Sequence, residues 1–201
     1  MTIALIDYGA GNLHSVHNAL KAAGAADVRV TADAAEVARA DRIVLPGVGA
    51  FGACATALRA LPGMIEALER RVLAEGAPFL GVCVGMQLMA TRGLEFGAHD
   101  GLGWIAGEVA ELAPADPGAK VPHMGWNDVV PLAPHPLIAP GEAYFLHGYA
   151  FTGADVLATS DHGGPVVAAI GRDNLLGVQF HPEKSQGYGL ALLERFLAWR
   201  P

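Results

Sequence analysis

Charged residues are scarce in this sequence of 201 residues, at 16%, while 52% are hydrophobic. Disorder needs the reverse balance, so a folded chain with a sizeable core is expected. Basic charge is the scarcer kind: 13 Lys and Arg stand against 20 Asp and Glu, for a net charge of −7. Nucleic acid is not an expected partner, because phosphate binding draws on clustered cations. No apolar run reaches the roughly 18 residues of a membrane span. The opening segment, Met1-Thr2-Ile3-Ala4-Leu5-Ile6-Asp7, has no basic stretch ahead of an apolar one, which argues against secretion. Cysteine is nearly missing. Two, Cys54 and Cys83, are too few for a disulfide framework, and the eight histidines form no His-Glu-x-x-His pair. A reduced, cytoplasmic chain without metal or cofactor is the expectation.

What is present first is alternation. Ile3 to Ile6 reads as a short apolar strand, stopped by Asp7-Tyr8-Gly9-Ala10-Gly11. Leu13, Val16, Leu20 and Ala23 then recur at helical spacing, with Gly24 where a C-terminal cap belongs. Val28 to Val30 and Ile43 to Leu45 read as strands around a helix over Ala34 to Ala40. An amphipathic helix is expected over residues 63–75, with Ile65, Leu68, Val72 and Leu73 on one side. Phe79 to Val82 follows as a strand, and Met86 to Thr91 as a helix. Such a pattern predicts a parallel sheet covered by helices on both faces.

Residues 103–181 differ in character. Trp104 to Ala106, Val109 to Leu112, Tyr144 to Leu146, Val166 to Ile170 and Leu175 to Phe180 read as strands, the last two joined by an Arg172-Asp173-Asn174 hairpin. A helix over Leu190 to Trp199 follows. One α/β domain over 1–201 is expected: a mostly parallel sheet with an added antiparallel region in the second half.

Gly81-Val82-Cys83-Val84-Gly85 sits where a strand gives way to a helix, a glycine-flanked nucleophile elbow with cysteine in the serine position. A sharp turn there strains the backbone and demands small neighbours. It also sets the sulfur at a helix N-terminus, which favours thiolate, and lets the Val84 N–H face an oxyanion. An ordinary buried cysteine is the plain alternative, and the natural reading of Cys54. A thiolate needs a base, and the base an orienter. His181 and Glu183, in Gly177-Val178-Gln179-Phe180-His181-Pro182-Glu183, supply both at a strand end, where α/β sheets place their sites.

Gly47-Val48-Gly49-Ala50-Phe51-Gly52 matches the dinucleotide fingerprint formally. Pro46 precedes it, and the acidic residue due about twenty positions on falls within a helix, at Glu66 or Glu69. A better use is an N–H from Gly47, Val48 or Gly49 to the same oxyanion as Val84.

Together these segments resemble the class I glutamine amidotransferases, with their Cys-His-Glu triad. They are joined by Ile6-Asp7-Tyr8-Gly9-Ala10-Gly11-Asn12-Leu13, Val121-Pro122-His123-Met124-Gly125-Trp126-Asn127 and Gln179-Phe180-His181-Pro182-Glu183-Lys184-Ser185. Those two later segments are similar to the glutaminase subunits of imidazole glycerol phosphate synthases in particular. The resemblance implies a flavodoxin-like fold, Cys83 as nucleophile, His181 as base and acid, and Glu183 as orienter. It implies that Gln87 and Glu95 hold the amino-acid end of glutamine. It further implies a heterodimer with a (β/α)₈-barrel cyclase that receives ammonia and makes imidazole glycerol phosphate in histidine biosynthesis. Asn12, Trp126, Tyr144 and Lys184 match positions that face that partner. One departure stands out: Gly148 replaces an expected serine. A subunit of another synthase, a lone γ-glutamyl hydrolase and a non-catalytic binding module are the competing readings.

Overall fold

A computed structural model describes residues 1–201. In chain order, β1 (Thr2–Ile6) leads to α1 (Leu13–Ala22), β2 (Asp27–Thr31), α2 (Ala34–Val37), β3 (Arg42–Leu45) and α3 (Phe51–Ala60). Then come α4 (Met64–Leu68), continued by a π-helical turn over Glu69–Ala74, β4 (Phe79–Val82) and α5 (Val84–Gln87). Strands β5 (Ala90–Gly93), β6 (His99–Asp100), β7 (Ile105–Glu111), β8 (His123–Pro131) and β9 (Gly141–His147) follow. The rest is β10 (Tyr149–Gly153), β11 (Val156–Asp161), β12 (Pro165–Arg172), β13 (Leu175–Val178), a 3₁₀ turn over Pro182–Lys184, and α6 (Gln186–Ala198).

Nine strands make the main sheet, in the order β2-β1-β3-β4-β13-β12-β11-β8-β9. The first five run parallel and the last four are joined by antiparallel pairings. Both expected halves of the fold are therefore present, in one continuous sheet. A second sheet, β10-β7-β5-β6, lies apart. Strands β3, β4 and β13 are buried at every residue, as parallel strands between helix layers should be. One cluster of 52 buried residues runs from Ile3 to Leu197.

Several boundaries differ from expectation. The helix expected over Met86 to Thr91 is instead the single turn α5 followed by strand β5, which pairs with β7 and β6. Sheet pairing there overrides local helix propensity. The helix over residues 63–75 shifts into a π turn at Glu69, which adds a residue to the turn and rotates Leu73 into solvent while Leu68 and Val72 stay buried. The two strands expected at 104–112 are one, β7. Strands β6, β8, β10 and β11 and helix α3 had no counterpart in the sequence reading.

The order of the main sheet places the site. Neighbours β4 and β13 are parallel, with Val82 opposite Val178. Whatever follows Val82 therefore stands beside whatever follows Val178, about one strand spacing away. Those successors are Cys83 and Gln179, with His181 two residues on.

Candidate active site

Cys83 occupies a backbone conformation that side chains avoid, φ 54° and ψ −112°. The surroundings hold it there. The Cys83 N–H donates to the Val178 carbonyl at 2.8 Å, and the Cys83 carbonyl accepts from the Gln87 N–H at 3.1 Å. A Cβ on Gly85 would collide with the Leu45 carbonyl oxygen, so only glycine closes the turn onto β3. The following helix is one turn long, and its dipole is correspondingly small. More pertinent is the Val84 N–H, which finds no acceptor within the chain.

His181 is fixed from both sides of the main chain. Its N–H donates to the Tyr144 carbonyl at 2.9 Å, and its carbonyl accepts from the Ser185 hydroxyl at 2.6 Å. Ser185 Oγ in turn accepts the Tyr144 N–H at 2.9 Å, so one serine ties the 181–185 turn to β9. The ring Nδ1 donates to Glu183 Oε1 at 2.9 Å, and both side chains are almost wholly buried. Burial alone would pull the imidazole pKa down. Hydrogen bonds and charge from Cys83 and Glu183 outweigh it and raise the pKa to about 9. At neutral pH the ring is a cation beside the sulfur.

These groups open on a cavity of about 270 Å³, lined also by Gln87, Glu95, His147 and Lys184 and by the loop at Val48 and Gly49. That loop is pinned below. The Tyr8 hydroxyl donates to the Pro46 carbonyl at 2.7 Å, and the Cys54 thiol donates to the Val48 carbonyl at 3.4 Å. Gly47 packs so closely on Gly85 and Val84 that a Cβ would lie 2.7 Å from the Gly85 nitrogen. The N–H groups of Gly47, Val48 and Gly49 make no hydrogen bond within the chain. Glu95 donates no support to a dinucleotide reading: its Oε2 accepts the Phe51 N–H at 2.7 Å, so a carboxylate already occupies the start of α3 where a phosphate would sit.

Gln87 is buried, and its Nε2 donates to both the Tyr149 carbonyl and Gln179 Oε1, each at 3.0 Å. With both amide hydrogens engaged, its oxygen is the atom left for a ligand. Gly148 lines the cavity wall, and a Cβ there would have only a methyl of Val121 at 3.9 Å, so a serine hydroxyl is missing for no steric reason.

A chain of rings continues from the cavity toward the surface. His147 Nδ1 faces the Tyr149 carbonyl at 2.9 Å and must carry the proton. Its Nε2 then accepts from His123 Nδ1 at 3.0 Å, and His123 Nε2 accepts from Asn127 Nδ2 at 3.0 Å. Every ring nitrogen is satisfied only while both rings are neutral. Desolvation, reinforced for His123 by the nearby His147 and for His147 by His162 and His181, lowers both pKa values to about 4; for His147 the Tyr149 hydrogen bond opposes the shift in part. The unfolded chain therefore takes up protons between about pH 6.5 and 4 that the folded chain refuses. The contribution of these two rings to stability is full above pH 6.5 and falls as pH drops through that window. Urea titrations at pH 7.5 and 5 are expected to show a lower midpoint at pH 5. His123→Asn should flatten that dependence, and an unchanged slope in this variant would refute the assignment.

Trp126, Tyr144 and Lys184 come together on the surface. Trp126 and Tyr144 meet edge-on with centroids 6.2 Å apart, and Lys184 Nζ lies 5.8 Å over the Tyr144 ring. Along β8 the side chains alternate, with Met124 at 66% and Trp126 at 48% exposure turned outward. Asn12 precedes α1, makes no capping bond with its side chain, and is not among the ring contacts of that cluster. Sequence reasoning assigned no role to Gln179, His123, His147, Tyr8 or Ser185, although Gln179 lies inside and Ser185 just beyond the 177–183 segment it singled out as chemical.

A family model for class-I glutamine amidotransferases matches residues 4–198. The imidazole glycerol phosphate synthase subunit HisH of Zymomonas mobilis is 62% identical over 206 aligned positions, spanning 100% of this chain and 97% of that protein. The subunit of the same name from Caulobacter vibrioides is 53% identical over 212 positions, spanning 100% and 99%. Among solved structures, one described as a glutamine amidotransferase superposes with a TM-score of 0.75 at 18% identity, covering 98% of each chain. The structure of PurLQS from Thermotoga maritima gives 0.71 at 16%, covering 98% and 97%. At such low identity the two structures speak to the fold alone.

Proposed function

The chain belongs to the class-I glutamine amidotransferases, and on that premise we propose that it is the glutaminase subunit of an imidazole glycerol phosphate synthase, releasing ammonia from glutamine for histidine biosynthesis. The observation that carries the chemistry is the Cys83 sulfur at a strained elbow beside a buried His181–Glu183 pair.

The cycle follows from those groups. The Cys83 thiolate attacks the side-chain amide carbon of glutamine, and the carbonyl electrons move onto oxygen. The free N–H of Val84, with one from Gly47, Val48 or Gly49, holds that oxyanion. As the intermediate collapses, the C–N bond breaks and the His181 imidazolium delivers a proton to the departing nitrogen, giving ammonia and a thioester. His181, now neutral, takes a proton from water. The resulting hydroxide adds to the thioester, and collapse releases glutamate and restores the thiolate. Glu183 keeps the ring oriented and its cationic form stable. The remaining oxygens of Glu95 and Gln87 accept hydrogen bonds from the substrate ammonium.

We read residues 1–201 as one domain, since a single buried cluster reaches from β1 to α6. In this reading ammonia passes to a partner, the (β/α)₈-barrel cyclase of a heterodimer. The outward face suits that role: Met124 and Trp126 are apolar and exposed, half-buried Tyr144 lies beside Trp126, and Lys184 joins the face to the cavity. No helix is long and apolar enough to cross a membrane, which accords with work in the cytoplasm.

Co-purification with the cyclase, followed by glutamine turnover with and without the cyclase substrate, tests this function. Poor hydrolysis by the lone chain and a marked rise in the liganded complex are expected. Fast turnover by the lone chain and no association with the barrel would point to a free-standing hydrolase.

A further inference from the structure

We propose that Gln179 is a further catalytic residue of this site: its side-chain amide donates a hydrogen bond to the Cys83 sulfur and stabilises the thiolate that attacks glutamine. Gln179 is fully buried, and its Nε2 lies 3.7 Å from Cys83 Sγ. An amide that is fully buried at a reactive sulfur needs a reason, because burying it costs free energy unless its groups are paired. The register of the sheet puts it there, since Gln179 and Cys83 are the residues that follow paired Val178 and Val82.

Orientation decides whether such an amide helps or harms. Were its oxygen toward the sulfur, it would repel a thiolate. Gln179 Oε1 is instead occupied by the Gln87 Nε2 donor at 3.0 Å, which leaves the NH₂ group on the sulfur side. Gln87 is itself held in that sense because its second hydrogen goes to the Tyr149 carbonyl, an acceptor only. The same carbonyl takes the proton of His147, which fixes that ring's tautomer and leaves its Nε2 to accept from His123. A backbone carbonyl, acting through Gln87, thus fixes the direction of one N–H bond at the nucleophile.

The other polar neighbour of the sulfur favours the opposite state. The Leu146 carbonyl, 3.9 Å away, can accept from a thiol but can only repel a thiolate. Gln179 offsets it by its N–H, as His181 does by charge. The remaining ionisable groups that bear on Cys83 are Glu95, His147 and Lys184 around the cavity, with Tyr8 and Cys54 beneath the loop. None of these makes a hydrogen bond to Gln179.

The weight of Gln179 in turnover rests on the glutaminase reading above; its effect on the sulfur does not. Iodoacetamide alkylation of Cys83 in the full chain, followed across pH by peptide mass spectrometry so that Cys54 is resolved separately, measures the thiolate directly. Gln179→Met removes the donor, and Gln179→Asn withdraws it by one methylene. In each variant that keeps the wild-type circular dichroism, the alkylation midpoint is expected to rise by about one pH unit. In the complex with the cyclase, kcat for glutamine is expected to fall about 10²-fold with KM little changed. A wild-type midpoint in either folded variant overturns the proposal. If the midpoint rises but the wild-type complex turns over no glutamine, the hydrogen bond stands and the glutaminase reading falls.

Discussion

Cys83→Ala is expected to lower glutamine-dependent synthesis by the complex at least about 10⁵-fold, while synthesis from added ammonium salts continues at the wild-type rate. The size of the loss reflects what the sulfur does alone: no other cysteine, and no serine or threonine, lines the cavity. A triad without its nucleophile keeps only binding and oxyanion contacts, which have no bonded intermediate to stabilise. The substitution is mild for the fold. Alanine at φ 54° bears the same strain that cysteine already bears, and the deleted sulfur lines the cavity. The thermal midpoint should move little, which separates lost chemistry from lost structure. The ammonium arm tests the division of labour. If the cyclase makes its product itself and needs this chain only as an ammonia source, external ammonia bypasses Cys83. Loss of both activities in a folded variant would place Cys83 in the synthase step and end that division.

How much of this was legible beforehand depends on the kind of information each element carries. Strands β1, β3 and β4 are short, continuous apolar runs between glycine-rich or acidic stops, and one sequence suffices to find them. The elbow is legible for the same reason, since the backbone at Cys83 is so demanding that glycines must flank it. Strand β8 is not, because it inverts the expected pattern. Met124, Trp126 and Val130 face outward while His123 turns into the interior, so its periodicity points the wrong way. Such an inversion makes physical sense where the outer face is to be covered by another chain. Helix α3 opens in the glycine loop and is rich in alanine, which hid its start. The π turn at Glu69–Ala74 leaves no mark in a helical-spacing count until Leu73 proves to be exposed.

Gln179 is the most instructive omission. It stands inside a segment read residue by residue for its histidine and glutamate, yet its relation to Cys83 is a property of sheet register, with Val178 beside Val82 across 96 positions of sequence. No spacing rule along one chain contains that fact. The ring pair His123–His147 is hidden similarly, because its two members meet only through the pairing of β8 with β9.

Glu183→Gln is the second variant with a large expected effect, a fall in kcat/KM for glutamine of about 10³- to 10⁴-fold. The replacement keeps the shape. Glu183 Oε1 accepts from His181 Nδ1, and an amide oxygen can do the same; Oε2 has no donor from the chain, so an NH₂ group there displaces no hydrogen bond. What goes is the charge. Without it, burial acts on the imidazole with only Cys83 to oppose it, and the pKa of His181 falls from about 9. The sign of the consequence is definite. A histidine whose folded pKa lies above its unfolded value of about 6.5 stabilises the fold fully below pH 6.5 and loses that contribution as pH rises through 9. Wild-type turnover should accordingly hold to about pH 9 and decline above it, as His181 ceases to be a proton donor to the leaving nitrogen. In Glu183→Gln that alkaline decline should begin at lower pH, and the stability lost between pH 6.5 and 9 in the wild type should shrink. A variant with a reduced rate but an unmoved alkaline limb would show that Glu183 only aims the ring, and that the charge on His181 owes nothing to the carboxylate behind it.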